Sequence, residues 1–254
     1  MKTILITGAT SGFGLAIAKK FYAQGYNLIL TGRRKERFAE IESILTELGE
    51  GKIHFLHFDV RNNEAVKQAV NQIPADLANS LSILVNNAGL ALGRSTIDAG
   101  VTEDWDAMMD TNVKGLLYVS KAVIPLLQNN GGGQIVNIAS IAGKEVYPGG
   151  NVYCASKHAV DALSRAMRID LLKDNIAVSN IAPGAADTEF SLVRFKGDAQ
   201  TAKDVYKGYT PLFAEDIADA VEFVCNRPRH VNIDDLLIMP RAQANATIFK
   251  KEEN

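Results

Sequence analysis

Short apolar runs alternate regularly with longer amphipathic ones along this sequence, and this alternation restricts the fold more than any other feature does. Seven short apolar runs recur along the 254 residues, and several of them are apolar throughout instead of alternating with polar residues. Strands of that kind belong to parallel sheets covered by helices on both faces. The longer amphipathic runs between them have the length and spacing of the connecting helices in repeated βαβ units.

The predicted elements therefore form one α/β domain over residues 1–254, a single-domain Rossmann-type doubly wound parallel sheet of about seven strands with helices on both faces. The strands are predicted at Thr3–Thr7, Asn27–Thr31, Ile53–His57, Leu81–Asn86, Gln134–Ile138, Ala177–Ile181 and Leu236–Met239. The helices are predicted at Gly12–Gln24, Lys35–Leu48, Asn62–Ile73, Glu103–Leu127, Val152–Leu172 and Ala214–Asn226. A poorly patterned segment at about 185–212 is expected to form a substrate loop, and residues 250–254 are expected to fray.

Composition and charge exclude several classes of partner. The formal net charge is −2 and no large basic cluster occurs, which argues against nucleic acid or an anionic membrane. No run approaches the roughly 20 apolar residues of a membrane span, and the N-terminal apolar run is too short for a signal peptide. With only two cysteines a cytoplasmic location is expected. No metal is predicted, because no ligand spacing is formed by the four histidines, His54, His57, His158 and His230.

A glycine-rich turn follows the first predicted strand and opens the first predicted helix. Gly8, Gly12 and Gly14 have the spacing GxxxGxG, which lets the backbone turn tightly and approach a pyrophosphate at a helix N-terminus. Alone, such glycines could equally form a plain strand-to-helix turn. Their position in the first βα connection favours a dinucleotide site, for which the contacting residues are Gly8, Thr10, Ser11, Gly12, Phe13 and Gly14.

The residues after the second predicted strand indicate which dinucleotide is bound. An acidic residue at this point binds the adenosine ribose of NAD, but here Gly32 is followed by Arg33 and Arg34. Two guanidinium groups without a carboxylate suit a 2′-phosphate. The alternative is a solvated arginine pair at the start of the next helix, where the helix dipole disfavours cations. We therefore predict NADP(H) as the cofactor.

Tyr153 and Lys157 are four residues apart at the start of a predicted helix, so they share one face. The bare Tyr-x-x-x-Lys spacing is common by chance. Its neighbourhood is more specific, because Ser140 ends a predicted apolar strand and Asn112 lies in the helical stretch before that strand.

Taken together, these motifs resemble those of the short-chain dehydrogenase/reductase family. They occur in the same order and with the same spacing as in that family, across nearly the whole chain. The resemblance implies that Tyr153 transfers a proton at the substrate oxygen, and that Lys157 lowers the pKa of Tyr153 and holds the nicotinamide ribose. Ser140 would orient the reacting oxygen, and Asn112 would anchor a water leading to Lys157. The motifs are Gly8–Gly14, Asp59-Val60, Asn86-Asn87-Ala88-Gly89, Asn112, Ser140, Tyr153–Lys157, Pro183-Gly184 and Thr188.

The resemblance also implies further cofactor contacts and an assembly. Asp59 and Val60 would flank the adenine ring. Asn86, Ala88 and Gly89 would pass close to the cofactor at the end of the fourth strand. A homotetramer or homodimer is implied, and the nicotinamide carboxamide would be bracketed by Pro183, Gly184 and Thr188.

The segments 149–153 and 188–198 are similar to one bacterial subgroup of the family, whose members oxidise 3-hydroxy acids with NADP or reduce short acidic aldehydes. The segment Ala185-Ala186-Asp187 differs from the subgroup, so the substrate loop is expected to have another shape. Arg194 is the predicted anion clamp, since a guanidinium gives two hydrogen bonds to a carboxylate or sulfonate. Tyr147 and Gln243 are predicted helpers. Two alternatives are a broad reductase of neutral carbonyl compounds and a non-catalytic NADP(H)-binding sensor.

Overall fold

The sheet of the computed structural model contains seven parallel strands in the order β3-β2-β1-β4-β5-β6-β7. The structure describes residues 1–252, except for the side chain of Ala202. The predicted doubly wound α/β sheet is confirmed, and each predicted strand lies within two residues of its observed bounds. The strands are β1 Thr3–Ile6, β2 Asn27–Gly32, β3 Ile53–His57, β4 Leu81–Asn86, β5 Gly133–Ile138, β6 Ile176–Pro183 and β7 Asp235–Ile238.

Helices connect the strands and cover both faces of the sheet. None of the helices within residues 1–252 has both the length and the apolar character required to cross a membrane. The helices are α1 Gly12–Ala23, α2 Phe38–Thr46, α3 Asn63–Asn71, α4 Ala75–Ala78, α5 Thr102–Met109, α6 Leu116–Asn129, α7 Asn151–Asp170, α8 Glu189–Arg194, α9 Ala199–Asp204 and α10 Ala214–Cys225.

The apolar character of the strands follows from these two covered faces. In β1, Leu5 points into a core that it shares with α3, α6 and α7, whereas Ile4 and Ile6 point into a second core against α1, α2 and α10. Successive side chains of a strand alternate between faces, so a strand covered on both sides needs apolar residues at every position. The strands are therefore continuously apolar in sequence because helices cover both faces of the sheet.

One predicted helix is interrupted in the structure. The run predicted as Glu103–Leu127 consists of α5, a π-helical turn at Asp110–Gly115, and α6. Such single π turns insert an extra residue into a helix and occur often at functional sites. Here the turn contains the buried Asn112, whose place in the site is described below.

The segment 185–212 and the C-terminal residues are more ordered than predicted. Thr188 caps α8 and Asp198 caps α9 through side-chain hydrogen bonds to backbone amides. The predicted fraying of 250–252 is wrong, because the Lys250 amide donates to Ala242 O (2.8 Å) and the Glu252 amide donates to Gly208 O (2.7 Å). Residues 253 and 254, which belong to the same prediction, lie outside the described residues.

Candidate active site

A cavity of about 1000 Å³ opens at the carboxyl ends of the strands. It spans the point where β1 lies between β2 and β4, so that the chain leaves the sheet in opposite directions on the two sides. Ligands of open α/β sheets bind in the crevice at such a switch point. The cavity receives the loops that follow β1 to β6 and parts of α8 and the C-terminal segment.

The glycine loop after β1 forms one wall of this cavity. Gly8 has φ +65° and Gly12 has φ +50°, a left-handed conformation that favours glycine. A Cβ at Gly8 would lie 3.0 Å from the Cα of Ala88, so the loop after β4 needs a residue without a side chain here. The N-terminus of α1 follows directly, and its free amides and dipole favour a phosphate group.

Arg34 joins this loop to α8. Its guanidinium donates to Thr10 Oγ1 (3.2 and 3.1 Å), to Ser11 Oγ (2.5 Å) and to Glu189 Oε2 (2.8 Å). Arg33 is exposed, with Nη1 3.8 Å from the Asp59 carboxylate. Both arginines line the cavity beside the glycine loop. The donor set fits a dinucleotide with a 2′-phosphate, because each guanidinium can direct N–H groups at a phosphate oxygen.

Most of the remaining predicted cofactor residues also line the cavity, but two do not. Gly14 and Asn86 are not part of the cavity lining, and a contact of either with the cofactor stays a prediction. Asn86 is buried inside the sheet, where its amide donates to Ser120 Oγ (2.9 Å) and Asn137 Oδ1 (2.8 Å). The next residue, Asn87, lines the cavity in its place. The predicted residues found in the lining are Gly8, Thr10, Ser11, Gly12, Phe13, Arg33, Arg34, Asp59, Val60, Ala88, Gly89, Pro183, Gly184 and Thr188.

Ser140, Tyr153 and Lys157 converge at the centre of the cavity, as predicted. Ser140 follows β5, where its Oγ donates weakly to Pro183 O (3.4 Å) and accepts from the Ala142 amide (3.1 Å). Tyr153 and Lys157 project from the first turns of α7 and are both buried. The Lys157 Nζ atom lies 6.0 Å from the centroid of the Tyr153 ring and donates to Ile138 O (2.9 Å).

Burial governs the protonation of both residues. Desolvation raises the pKa of Tyr153 above its usual value, although the nearby Ser140 hydroxyl and the charge of Arg194 act in the opposite direction. Desolvation also lowers the pKa of Lys157 from 10.5 to about 8. In the chain without cofactor the cost of burying a phenolate therefore dominates. The joint effect of Lys157 and an oxidised nicotinamide on the pKa of Tyr153 stays a prediction.

Asn112 does not touch Lys157 directly. Its Oδ1 accepts from the Leu90 amide (2.8 Å), and its Nδ2 donates to Leu90 O (2.8 Å) and Ser156 Oγ (3.0 Å). The side chain therefore fixes the loop after β4 against α7. A Cβ at Gly89 would lie 3.2 Å from Asn112 Oδ1 and 3.5 Å from Lys157 Nζ, so the absence of a side chain here leaves room beside both groups.

Arg194, at the end of α8, faces the Tyr153 ring. Its Cζ lies 5.6 Å from the centroids of both the Tyr153 ring and the Tyr147 ring. Its Nε donates weakly to Gly93 O (3.4 Å), whereas Nη2 is buried without a hydrogen-bond partner among the described residues. An unpaired buried guanidinium N–H is costly, so this atom indicates a place for an acceptor from outside the chain.

Tyr147 and Gln243, which are predicted to help Arg194 bind the substrate headgroup, differ in their contacts. The Tyr147 ring lies beneath the Arg194 guanidinium, with Cζ 5.6 Å from the ring centroid, and it lines the cavity. Gln243 also lines the cavity, but its Oε1 accepts from the Ala185 amide (2.8 Å) and its Nε2 donates to Asn245 O (3.1 Å). Gln243 therefore ties the turn after β6 to the C-terminal segment, and one amide hydrogen remains for a ligand.

Several residues of the cavity were not found by sequence reasoning. Glu189 pairs with Arg34 and also with Arg37 (2.9 Å). Phe190 packs against Tyr153 with its ring tilted by 56° and the ring centroids 5.8 Å apart. The guanidinium of Arg94 lies over the ring of Tyr147, with Cζ 5.7 Å from the ring centroid. Glu189 and Phe190 lie in the short helix α8 and Arg94 lies in a loop, and neither kind of segment is long enough to show a periodic pattern in the sequence.

Fold and site together define an α/β protein that binds a dinucleotide at its switch point, with a Ser-Tyr-Lys group beside it. Residues 2–198 match the family model of the short chain dehydrogenases. The chain therefore belongs to the short-chain dehydrogenase family and is an oxidoreductase.

Similar proteins cover nearly the whole chain. Sulfoacetaldehyde reductase 2 of Chromohalobacter salexigens is 43% identical over 95% of this chain and 95% of its own length. The NADP-dependent 3-hydroxy acid dehydrogenase of Escherichia coli (strain K12) is 44% identical over 96% of both chains. The closed form of a serine dehydrogenase complexed with NADP⁺ superposes with a TM-score of 0.92 at 42% identity, covering 99% of this chain and 100% of that one.

Proposed function

We propose that this oxidoreductase uses NADP(H) and reduces a short anionic aldehyde, of the sulfoacetaldehyde or malonic semialdehyde type, or oxidises the matching hydroxy acid. The observation that carries the proposal is the buried, unpartnered Nη2 of Arg194 beside the Tyr153 ring. The relatives named for sulfoacetaldehyde and 3-hydroxy acids support the same substrate class.

Tyr153 is the proposed proton donor in the reductive direction. NADPH, when bound, supplies the hydride, and the alkoxide that develops on the substrate needs a proton. A phenol with a raised pKa is protonated at neutral pH and holds this proton ready. Ser140, which lines the same cavity, would donate its hydroxyl hydrogen to the same substrate oxygen and so orient it.

Lys157 and Asn112 act behind Tyr153 in this proposal. A buried ammonium with a pKa of about 8 gains or loses its proton close to physiological pH, which suits a group that reprotonates the tyrosine. Asn112 holds the Leu90 backbone and the Ser156 hydroxyl, and through them it keeps Lys157 at its distance from Tyr153.

Arg194 is the proposed clamp for the acidic group. Its guanidinium faces the reacting centre, and it lies against the rings of both Tyr147 and Tyr153. No carboxylate of the described residues lies within 4 Å of it, so its charge is available to a ligand. Lys196, a nearby second choice, is instead paired with Asp104 (2.9 Å).

The test is the substitution Arg194→Ala, assayed with acidic and neutral aldehydes of similar size. A charge-assisted hydrogen bond contributes about 1.5–3 kcal/mol, so kcat/KM for the acidic aldehyde should fall by one to two decades more than for the neutral one. Arg194→Lys should recover part of the loss. Lys196→Ala is the matched control, and it should leave the preference for acidic aldehydes in place. Equal losses for both aldehydes would contradict the clamp.

We also propose that the chain acts in the cytoplasm as a homodimer or homotetramer. Leu117 on α6 and Ile169 on α7 are large apolar side chains that are exposed in the single chain. Light scattering of the purified protein would give the mass in solution, and a monomer would contradict the proposed assembly.

A further inference from the structure

A second guanidinium lines the substrate end of the cavity. The Cζ of Arg94 lies 5.7 Å from the centroid of the Tyr147 ring, and the Cζ of Arg194 lies 5.6 Å from the same centroid. Both arginines belong to the cavity lining. One aromatic ring thus supports two cations, of which Arg194 is the inner one beside Tyr153 and Arg94 the outer, exposed one.

The backbone around Arg94 is held by neighbouring segments. The Gly93 amide donates to Arg194 O (3.0 Å), and the Arg194 Nε donates back to Gly93 O (3.4 Å). Gly149 has φ +72°, and a Cβ there would lie 2.7 Å from Arg94 O, so the two loops pack backbone to backbone. Asn151 Nδ2 also donates to Ser95 O (2.9 Å). The outer cation is therefore positioned relative to the inner one.

The charge of this pair is not neutralised within the chain. At the cofactor end, Arg33 and Arg34 have carboxylates within 4 Å, from Asp59 and Glu189 respectively. Among the residues that the structure describes, no carboxylate lies within that distance of either Arg94 or Arg194. Asp204 and Lys251, which also line the cavity, have opposite charges. Both arginines therefore keep their positive charge available to a ligand at this end of the cavity.

We propose that Arg94 is a specificity residue that selects a substrate headgroup with two negative charges, such as a phosphonate. The inference rests on the proposed function, because it requires an acidic aldehyde held by Arg194. A singly charged headgroup satisfies the inner guanidinium alone. A doubly charged one has a further charge and further acceptor oxygens for the outer guanidinium.

The experiment compares phosphonoacetaldehyde with sulfoacetaldehyde. Both are two-carbon aldehydes with a tetrahedral headgroup of three oxygens, and at about pH 8 they differ mainly by one charge, because a phosphoryl group loses its second proton near neutrality. The measured quantity is the ratio of kcat/KM for the two aldehydes with NADPH. The proteins are the unaltered chain, Arg94→Met, Arg94→Lys and a control, Arg229→Met. Arg229 lies at the opposite end of the sheet, where it donates to Gly131 O.

The unaltered enzyme should prefer the phosphonate, and Arg94→Met should lower the ratio by about three- to tenfold, as expected for an exposed cation that water screens. Arg94→Lys should keep most of the ratio, and Arg229→Met all of it. Added salt should lower the ratio in the unaltered enzyme and have little effect in Arg94→Met. NADPH titration by fluorescence checks that Arg94→Met remains folded.

An unchanged ratio in Arg94→Met, or a preference for the sulfonate in the unaltered enzyme, would overturn the assignment of Arg94 alone. The proposed function would still stand in that case if Arg194→Ala discriminates between acidic and neutral aldehydes. If the unaltered enzyme reduces neutral aldehydes but neither acidic one, the proposed function fails, and the role of Arg94 fails with it.

Discussion

Replacing Lys157 with methionine should stabilise the cofactor-free protein. Burial lowers the pKa of Lys157 from 10.5 to about 8. At about 1.4 kcal/mol per pH unit, holding the ammonium inside the fold costs about 3 kcal/mol at neutral pH. Methionine fills similar space without charge, but it leaves Ile138 O without its donor, which costs about 1 kcal/mol. We expect the free energy of unfolding to rise by about 2 kcal/mol at about pH 7.

The gain should disappear at alkaline pH. Below a pH of about 8, Lys157 is protonated in both the folded and the unfolded chain, and the full cost of burial is present. Between about 8 and 10.5 only the unfolded chain still binds this proton, so the stability of the unaltered protein rises with pH. The advantage of Lys157→Met should therefore shrink through this window and reverse at its alkaline end to a loss of about 1 kcal/mol, because a neutral amine still donates to Ile138 O and methionine does not.

Urea denaturation at several pH values measures the difference directly. Lys144→Met is the matched control, because Lys144 is paired with Asp161 and with Asp235 (2.8 Å), and its pKa is raised despite desolvation. That variant should be less stable than the unaltered protein. The reasoning would be refuted if Lys157→Met were no more stable at neutral pH, or if its gain did not depend on pH.

Two further predictions concern turnover and cofactor choice. Tyr153→Phe should lower turnover by roughly 100-fold or more, because it removes the proposed proton donor, while NADPH binding measured by fluorescence should persist. Near-normal turnover would assign the proton transfer to another group. Replacing both Arg33 and Arg34 with alanine should remove most of the preference of kcat/KM for NADPH over NADH. Arg37→Ala removes only the second partner of Glu189 and should keep that preference; the same loss in this control would assign it to Glu189.

The sequence predicted the fold well because the two-sided burial of the strands leaves a strong pattern. The bounds of β3 and β4 were predicted to the residue. The π-helical turn at Asp110–Gly115 was not predicted. The apolar spacing of α5 continues into α6, and one extra residue in a helical turn leaves no distinctive residue type in the sequence. The short helices α8 and α9 were missed for the opposite reason, since six residues are too few to show a period.

Some features of the candidate site could be predicted from the sequence, and others could not. Ser140, Tyr153 and Lys157 could be located because each lies at a strand end or on a helix face whose direction the pattern predicts. The protonation of Lys157 could not be predicted, since it depends on how completely neighbouring elements exclude water. Nor could the free charge of Arg94 be predicted, because it depends on which carboxylates lie nearby in space. The same holds for Gln243, whose amide is already engaged by Ala185 and Asn245.

The two ends of the cavity have different origins in the chain, and this has an evolutionary consequence. The cofactor end is built from loops anchored directly at strand ends, so changes there disturb the sheet. The substrate end is built from Arg94, Tyr147, α8 and the segment around Phe249, all outside the sheet. Such segments tolerate replacement and insertion. Divergent copies of a gene could therefore acquire new substrates by exchanging these segments while inheriting an unchanged hydride-transfer apparatus.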